Sequence, residues 1–276
     1  MIGEKTVIIT GMVDKEKLVK KARNYLLDLL PVAGQIARRY LHAEELPSKK
    51  KGVHDFVTAA DLAVDKFLKE NLNKEFSVIP ILSEETFDGD FKKYTNKDLL
   101  FIIDPLDGTS NFARGDDNFC ISVGLVERGE PLLGVIFSPI SSRLFWATYR
   151  DIKAFWNGRS IKVSDIKELD KAVVCTDWSH VMETREETTQ FLRKIYTKVR
   201  QIKILGSAAT DLTLLARGGV DIYHHVRLFP WDVAAAGLIA QKAGAKVTEI
   251  NGNEWNVFSK SILASNPILH KKLLKL

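Results

Sequence analysis

The run Asp104-Pro105-Leu106-Asp107-Gly108-Thr109-Ser110-Asn111-Phe112 stands directly behind the apolar stretch Leu99-Leu100-Phe101-Ile102-Ile103. Such a stretch ahead of a proline-containing turn reads as a buried strand ending in a metal-site geometry. Two acids three residues apart across the Pro-Leu turn can reach one ion, and turn carbonyls such as that of Leu106 add hard oxygen ligands. Gly108 relieves crowding, and the amides of Gly108 and Thr109 can point at a phosphate if a helix starts there. Asp-Pro and Asp-Gly are also ordinary turn dipeptides, so taken alone the run leaves a plain turn equally open.

A chain of 276 residues can bury a full core as one large domain or two lobes, and its 45% hydrophobic and 27% charged content is that of a globular protein. No apolar stretch approaches the roughly 18 residues that span a bilayer, and no long apolar secretory core opens the sequence. The default expectation is a cytoplasmic protein without membrane association. Cys120 and Cys175 lack metal-type spacing and read as small buried residues rather than a disulfide. The net charge of +5 favours anionic ligands, but no aromatic-interleaved basic stripe accompanies it, so nucleic acid is not expected.

Asp14 is a plausible N-cap for a long amphipathic helix with Leu18, Ala22, Tyr25, Leu26 and Leu29 on one face, which Pro31 should kink or end. Polar residues through Lys51-Gly52 read as a loop, and Thr58 to Asp61 has the spacing of a capping box opening a second helix. Strand patterns follow at 78–82, 99–103, 119–126, 132–137 and 144–149, a mainly antiparallel meander. Beyond about residue 150 strands and helices alternate: strands at 172–175, 202–205, 220–226, 246–250 and 262–264, and helices at 185–199, 208–216 and 233–243. The chain therefore divides into an α+β lobe, 1–150, and an α/β lobe, 151–276. His42 and His270 read as helix-surface residues.

Further acids sit where strands or loops meet helices. Glu84 and Glu85 follow the strand at 78–82, Asp61 lies in a first helical turn, and Asp232 follows Trp231 at another helix start. Strand ends and helix starts gather ligand groups in α/β proteins, yet capping and the helix dipole favour acids at the same places. Capping competes for Asp61, and simple exposure for Glu85.

The joint pattern resembles the inositol monophosphatase family of magnesium-dependent, lithium-sensitive sugar phosphatases. The matching segments are Asp55 to Asp61, Ser83-Glu84-Glu85, Asp104 to Phe112, Asn157-Gly158 with Val163-Ser164, Gly206-Ser207-Ala208-Ala209, and Trp231 to Gly237 with Ala243-Gly244. The resemblance implies a layered αβαβα fold with two closely packed lobes, and a homodimer. It implies that Glu84, Asp104 and the Leu106 carbonyl hold one Mg2+ ion, that Asp104, Asp107 and Asp232 hold a second, and that a third sits weakly near Glu84. A metal-activated water would be oriented by Glu84 and by Thr109 backed by Asp61. The amides of Gly108 and Thr109 would bind phosphate, and Asp107 with the backbone around Ala208 would face sugar hydroxyls. All these ligands are hard oxygens, and two metals can serve both ends of an in-line phosphoryl displacement.

Inositol-specific relatives carry a glutamate seven positions before the acid of the Trp-Asp motif, where this chain has His225, with His224 and Arg227 around it. One reading is an exposed strand end tolerant of basic residues. The other is that His225 or Arg227 meets a second anionic group, which favours fructose 1,6-bisphosphate over inositol 1-phosphate as the small phosphate substrate; Arg114-Gly115 points weakly the same way. Alternatives within the same chemistry are 3′-phosphoadenosine 5′-phosphate and histidinol phosphate. The alternative of another class is a regulatory role through RNA or protein.

Overall fold

The computed structural model describes residues 15–41, 48–50, 56–179 and 181–276. The expected Asp14 cap, His42, and the Asp55 end of the family match lie outside them. In chain order the elements are α1 (Lys15–Leu41), β1 (Ser48–Lys50), β2 (Phe56–Thr58), α2 (Ala59–Glu75), β3 (Ile81–Ser83), α3 (Lys92–Thr95), β4 (Leu100–Asp107), α4 (Thr109–Phe112), β5 (Cys120–Glu127), β6 (Glu130–Ser138) and β7 (Arg143–Thr148). They continue with β8 (Ala154–Trp156), β9 (Arg159–Ile161), β10 (Val173–Thr176), α5 (Met182–Ile195), β11 (Gln201–Ile204), α6 (Ala208–Ala216), β12 (Ile222–His225), α7 (Pro230–Lys242), β13 (Lys246–Thr248), β14 (Ile262–Ser265) and α8 (Pro267–Leu273).

Strands β3 to β9 form one sheet in sequence order, and β11-β10-β12-β14-β13 form another. Side-chain alternation then builds the layers. On β4, Phe101 and Ile103 pack with Leu26, Leu30, Val64 and Leu68 of α1 and α2. Leu100 and Ile102 face the opposite way, into a core shared with α6, α7 and the second sheet. On that sheet Cys175 and Tyr223 point into the same shared core, whereas Val174 and Ile222 pack outward with Ile195 of α5 and with Leu269 and Leu273 of α8. The result is α1/α2, sheet, α6/α7, sheet, α5/α8: the expected αβαβα layering.

Helix α7 lies very close to the first sheet. Gly124 and Gly134 are register partners on β5 and β6. A Cβ on Gly134 would come within 2.5 Å of the Ala235 carbonyl oxygen, and one on Gly124 within 2.9 Å of the Ala234 Cβ. The paired glycines make the flat seat on which the helix carrying Asp232 rests.

Several local expectations are corrected. Helix α1 continues through Pro31, because Leu26, Leu29, Leu30, Ala33 and Ala37 on both sides of it are buried. Lys49 and Lys50, expected in a loop, pair with Val57 and Phe56 in an antiparallel hairpin. The strand expected at 78–82 starts later, at Ile81, and Val78 is 85% exposed. His270 is not a surface residue: it is buried, with Nε2 2.9 Å from the Thr248 hydroxyl. Among the described residues no helix is long and apolar enough to cross a membrane.

Candidate active site

Strand β4 delivers Asp104 at the end of its inner-facing series Leu100, Ile102. The ladder with β5 then shifts register between Asp104 and Asp107, where Pro105 has no amide to offer it. The Leu106 amide instead donates to Asp104 Oδ1 at 3.0 Å. Gly108 takes φ +97°, a left-handed conformation, and caps the four-residue α4. A Cβ there would also lie 2.8 Å from the Asn118 carbonyl oxygen.

Asp107 is held by α6: Ser207 Oγ donates to its Oδ2 at 2.6 Å and the Ala209 amide at 2.7 Å. The Cys120 thiol approaches the same oxygen at 3.8 Å. Asp232, in the first turn of α7, accepts from the Phe229 amide at 2.7 Å. One oxygen from each of Asp104, Asp107 and Asp232 lies within 4.8 Å of the others. Burial, followed by the charges of Glu84, Asp107 and Asp232, raises the Asp104 carboxyl well above the usual range. Burial raises Asp232 as well, and lifts Asp107 to about 6 despite its hydrogen bonds to Ser207 and Ala209. Carboxylates so placed repel one another and are ionised together only beside positive charge. The all-oxygen donor set fits a hard divalent cation.

Glu84 opens a 3-10 turn, Glu84–Thr86, directly after β3. It stands outside the tight group of three, but its charge acts on both Asp104 and Asp232. The Thr109 hydroxyl lies 3.0 Å from Asp61 Oδ1 and 3.0 Å from the Leu106 carbonyl. Asp61 also closes the capping box, accepting from the Thr58 amide at 2.9 Å and from the Thr58 hydroxyl. Burial raises its pKa and these hydrogen bonds oppose the rise. Capping and contact with Thr109 therefore coexist in one carboxylate.

A model of the inositol monophosphatase family matches residues 19–276. The chain belongs to that family. A Thermotoga maritima protein named fructose-1,6-bisphosphatase/inositol-1-monophosphatase is 35% identical over 252 residues, covering 91% of this chain and 94% of that protein. The Vibrio cholerae protein named Nus factor SuhB is 34% identical, covering 87% and 89%. A solved Thermotoga maritima IMPase superposes with a TM-score of 0.81 at 33% identity, over 92% of this chain and 96% of that one. The family's reaction class is phosphoric monoester hydrolysis and it is metal-dependent, in accord with the acidic group of this chain.

The remaining expected site residues divide. Ala208 is the first residue of α6 and is buried, but it is the amide of the next residue, Ala209, that binds Asp107. His224 and His225 are not an exposed strand end: both are buried. His224 points outward from the sheet and stacks on Phe191, ring centroids 3.6 Å apart. His225, two residues beyond Tyr223, faces the shared inner layer. Its Nδ1 accepts from the Arg227 amide at 3.1 Å, which leaves the proton of the neutral ring on Nε2, and burial lowers its pKa. Arg227 is exposed.

Three contributors have no role in the sequence reading, Ser207 being quoted there only within a matching segment. Ser207 clamps Asp107 from a hundred residues away in sequence. Asp177, just beyond β10, acts electrostatically on Asp107, Asp232 and His225. Asp211 is fully buried on α6, and burial, followed by the charge of Asp177, raises its pKa. Asp211 stands in the first turn of α6, where the helix dipole favours any acid, so no local signal sets it apart.

Proposed function

We propose that this chain is a magnesium-dependent phosphomonoesterase of small sugar or polyol phosphates, with inositol 1-phosphate and fructose 1,6-bisphosphate as leading substrates. The observation that carries the reading is the convergence of Asp104, Asp107 and Asp232 within 4.8 Å in a buried layer. These three, with Glu84 and the Leu106 carbonyl, would hold two or three ions. What bound magnesium supplies is positive charge, making an attacking water more acidic and neutralising the leaving oxygen.

The chain's own groups account for orientation. Thr109 has one hydroxyl proton and two acceptors, Asp61 Oδ1 and the Leu106 carbonyl, each at 3.0 Å. Giving that proton to either leaves the Thr109 oxygen to accept from the attacking water, with Glu84 orienting it from the other side. The amides of Gly108 and Thr109, at the start of α4, take phosphate oxygens. Asp107 and the backbone around Ala208 face sugar hydroxyls. His225 offers Nε2–H as a neutral donor, so of the pair His225 and Arg227 only Arg227 brings positive charge to a second phosphate.

The test is phosphate release from inositol 1-phosphate, fructose 1,6-bisphosphate, histidinol phosphate and 3′-phosphoadenosine 5′-phosphate, with and without magnesium. Magnesium-dependent release from the first two is expected, and release from none of the four overturns the reading. A regulatory role through RNA or protein is the second reading, favoured by the relative named Nus factor SuhB. Asp104→Asn separates the two, abolishing hydrolysis while sparing a metal-independent interaction. The homodimer belongs to the same proposal and is checked by light scattering, as the cytoplasmic location is by fractionation.

A further inference from the structure

Glu84 occupies the weakest part of the carboxylate centre. It follows β3, the edge strand of its sheet, and sits on a three-residue turn without a side-chain cap. From there to β4 the chain holds only the four-residue α3. Segments of this kind belong to the low-stability end of a fold, whereas a metal ligand needs placing to within about 0.5 Å. One side of the turn is tied to α2, where the Ser83 hydroxyl donates to Asp65 and Lys69 reaches Thr86 at 3.2 Å. The other side is tied by aromatic rings.

Phe87 and Phe91 stack with centroids 4.1 Å apart. Both meet Trp231, at 5.4 and 5.8 Å. Phe91 also approaches Phe229 at 6.4 Å and Phe258 at 6.3 Å. Phe229 and Trp231 stack in turn at 5.0 Å. These two flank the start of α7: the Phe229 amide holds Asp232, and Trp231 precedes it. The rings thus join the segment trailing Glu84 to the turn that presents Asp232.

We propose that Phe91 is a positioning residue, the hub of an aromatic clasp that fixes the Glu84 turn against the first turn of α7 and so sets the cation affinity of the carboxylate centre. The proposal rests on the reading of Glu84, Asp104, Asp107 and Asp232 as metal ligands. None of the rings carries a charge or a metal-ligating atom; their contribution is geometric, transmitted through backbone to the two carboxylates. Ring pairs favour defined offset and edge geometries, which an aliphatic contact of equal area does not impose.

Two measurements on the full chain test it, with Phe91→Ala, the milder Phe91→Leu, and Phe91→Tyr. The first is hydrogen exchange without metal: the Phe91→Ala chain should exchange faster at 84–91 and 229–232 and unchanged in β5 and β6. The second is calorimetric titration with magnesium chloride alone: binding should weaken about tenfold or more in Phe91→Ala, less in Phe91→Leu, and return in Phe91→Tyr. The control is Phe155→Ala, which removes a comparably close stack, Phe155 on Trp146 at 4.2 Å, far along the same sheet. It should lower the melting temperature without moving magnesium affinity. Unchanged exchange at 84–91 refutes the clasp whatever the metal does. Faster exchange with unchanged magnesium affinity refutes its effect on the site, as does an equal affinity loss in Phe155→Ala. Absence of magnesium binding by the unsubstituted chain, with exchange as expected, instead refutes the metal reading, and the affinity claim with it.

Discussion

The seat of α7 gives a quantitative handle on how the scaffold sets the site. In Gly134→Ala the new Cβ would meet the carbonyl oxygen, Cα and carbonyl carbon of Ala235 at 2.5, 2.7 and 2.9 Å. To reach an ordinary contact near 3.4 Å the helix must rise by about 0.9 Å. All three atoms are backbone, so no side-chain change at 235 relieves them. Overpacking of this kind costs about 1–3 kcal/mol, which for a chain of this size lowers Tm by roughly 2–5 °C. Asp232 rides on the same helix, and a displacement above about 0.5 Å takes its carboxylate out of register with Asp104 and Asp107. Magnesium affinity should therefore fall along with Tm, measured by titration calorimetry and differential scanning calorimetry. Gly124→Ala is the internal comparison: its nearest contact is the Ala234 Cβ at 2.9 Å, and with that atom removed the closest is backbone at 3.2 Å. Ala234→Gly costs about 1 kcal/mol as a helix substitution, yet should partly rescue Gly124→Ala and do nothing for Gly134→Ala. A Gly134→Ala chain with unaltered Tm and affinity, or one rescued as well as Gly124→Ala, would refute the reasoning.

Other substitutions address the acids and their partners. Asp107 has a carboxyl raised from 3.8 to about 6, so without metal it contributes stability below its unfolded pKa that is lost as pH rises through about 6. Asp107→Asn keeps an acceptor for Ser207 and Ala209, so urea melts of the chelated protein should show it stabilised by roughly 3 kcal/mol at most at pH 8 and by nothing near pH 3.5; a pH-independent gain contradicts this. Thr109→Ala should lower kcat about a hundredfold or more with little change in KM, and Thr109→Ser should restore most of it; steady-state phosphate release decides. Arg227→Ala should lower kcat/KM for fructose 1,6-bisphosphate about tenfold while sparing inositol 1-phosphate, and equal losses for both would remove Arg227 from second-phosphate recognition.

The legible parts of the fold were those where local pattern and tertiary environment agree. Leu99 to Ile103 has no polar face because β4 is covered on both sides, and the Thr58–Asp61 spacing shows both hydrogen bonds of its capping box. Ser48–Lys50 carries no strand signal of its own, since Ser-Lys-Lys has neither apolar alternation nor β-branched residues, and only its register with Phe56–Thr58 defines it as a strand. Strands β8 and β9 were missed by the pattern reading although Asn157 and Gly158 both have positive φ, the hairpin turn that an Asn-Gly pair favours. His270 sits among lysines, but Leu269 and Leu273 turn that face of α8 inward and the imidazole goes with it.

In the site, Asp104 and Asp232 each satisfy a local backbone rule, whereas the gathering of the acids in one place was legible only through the family resemblance and not from any local rule. Asp104 takes the Leu106 amide, Asp107 the Ala209 amide, and Asp232 the Phe229 amide. Two of these contacts are within three residues and are visible as turn and capping chemistry, while that of Asp107 crosses to α6 and is not. In each case one carboxylate oxygen is bound by the backbone, which fixes the side chain and leaves the other oxygen available to its neighbours. Amide dipoles orient three negative charges without neutralising them, and burial in the layer between the sheets denies them water. With Glu84 and Asp177 adding charge of the same sign, the arrangement is stable in its ionised form only around positive charge. The hydrogen bonds that make Asp104 and Asp232 look like ordinary turn and cap residues are thus among those that hold the centre open for a cation.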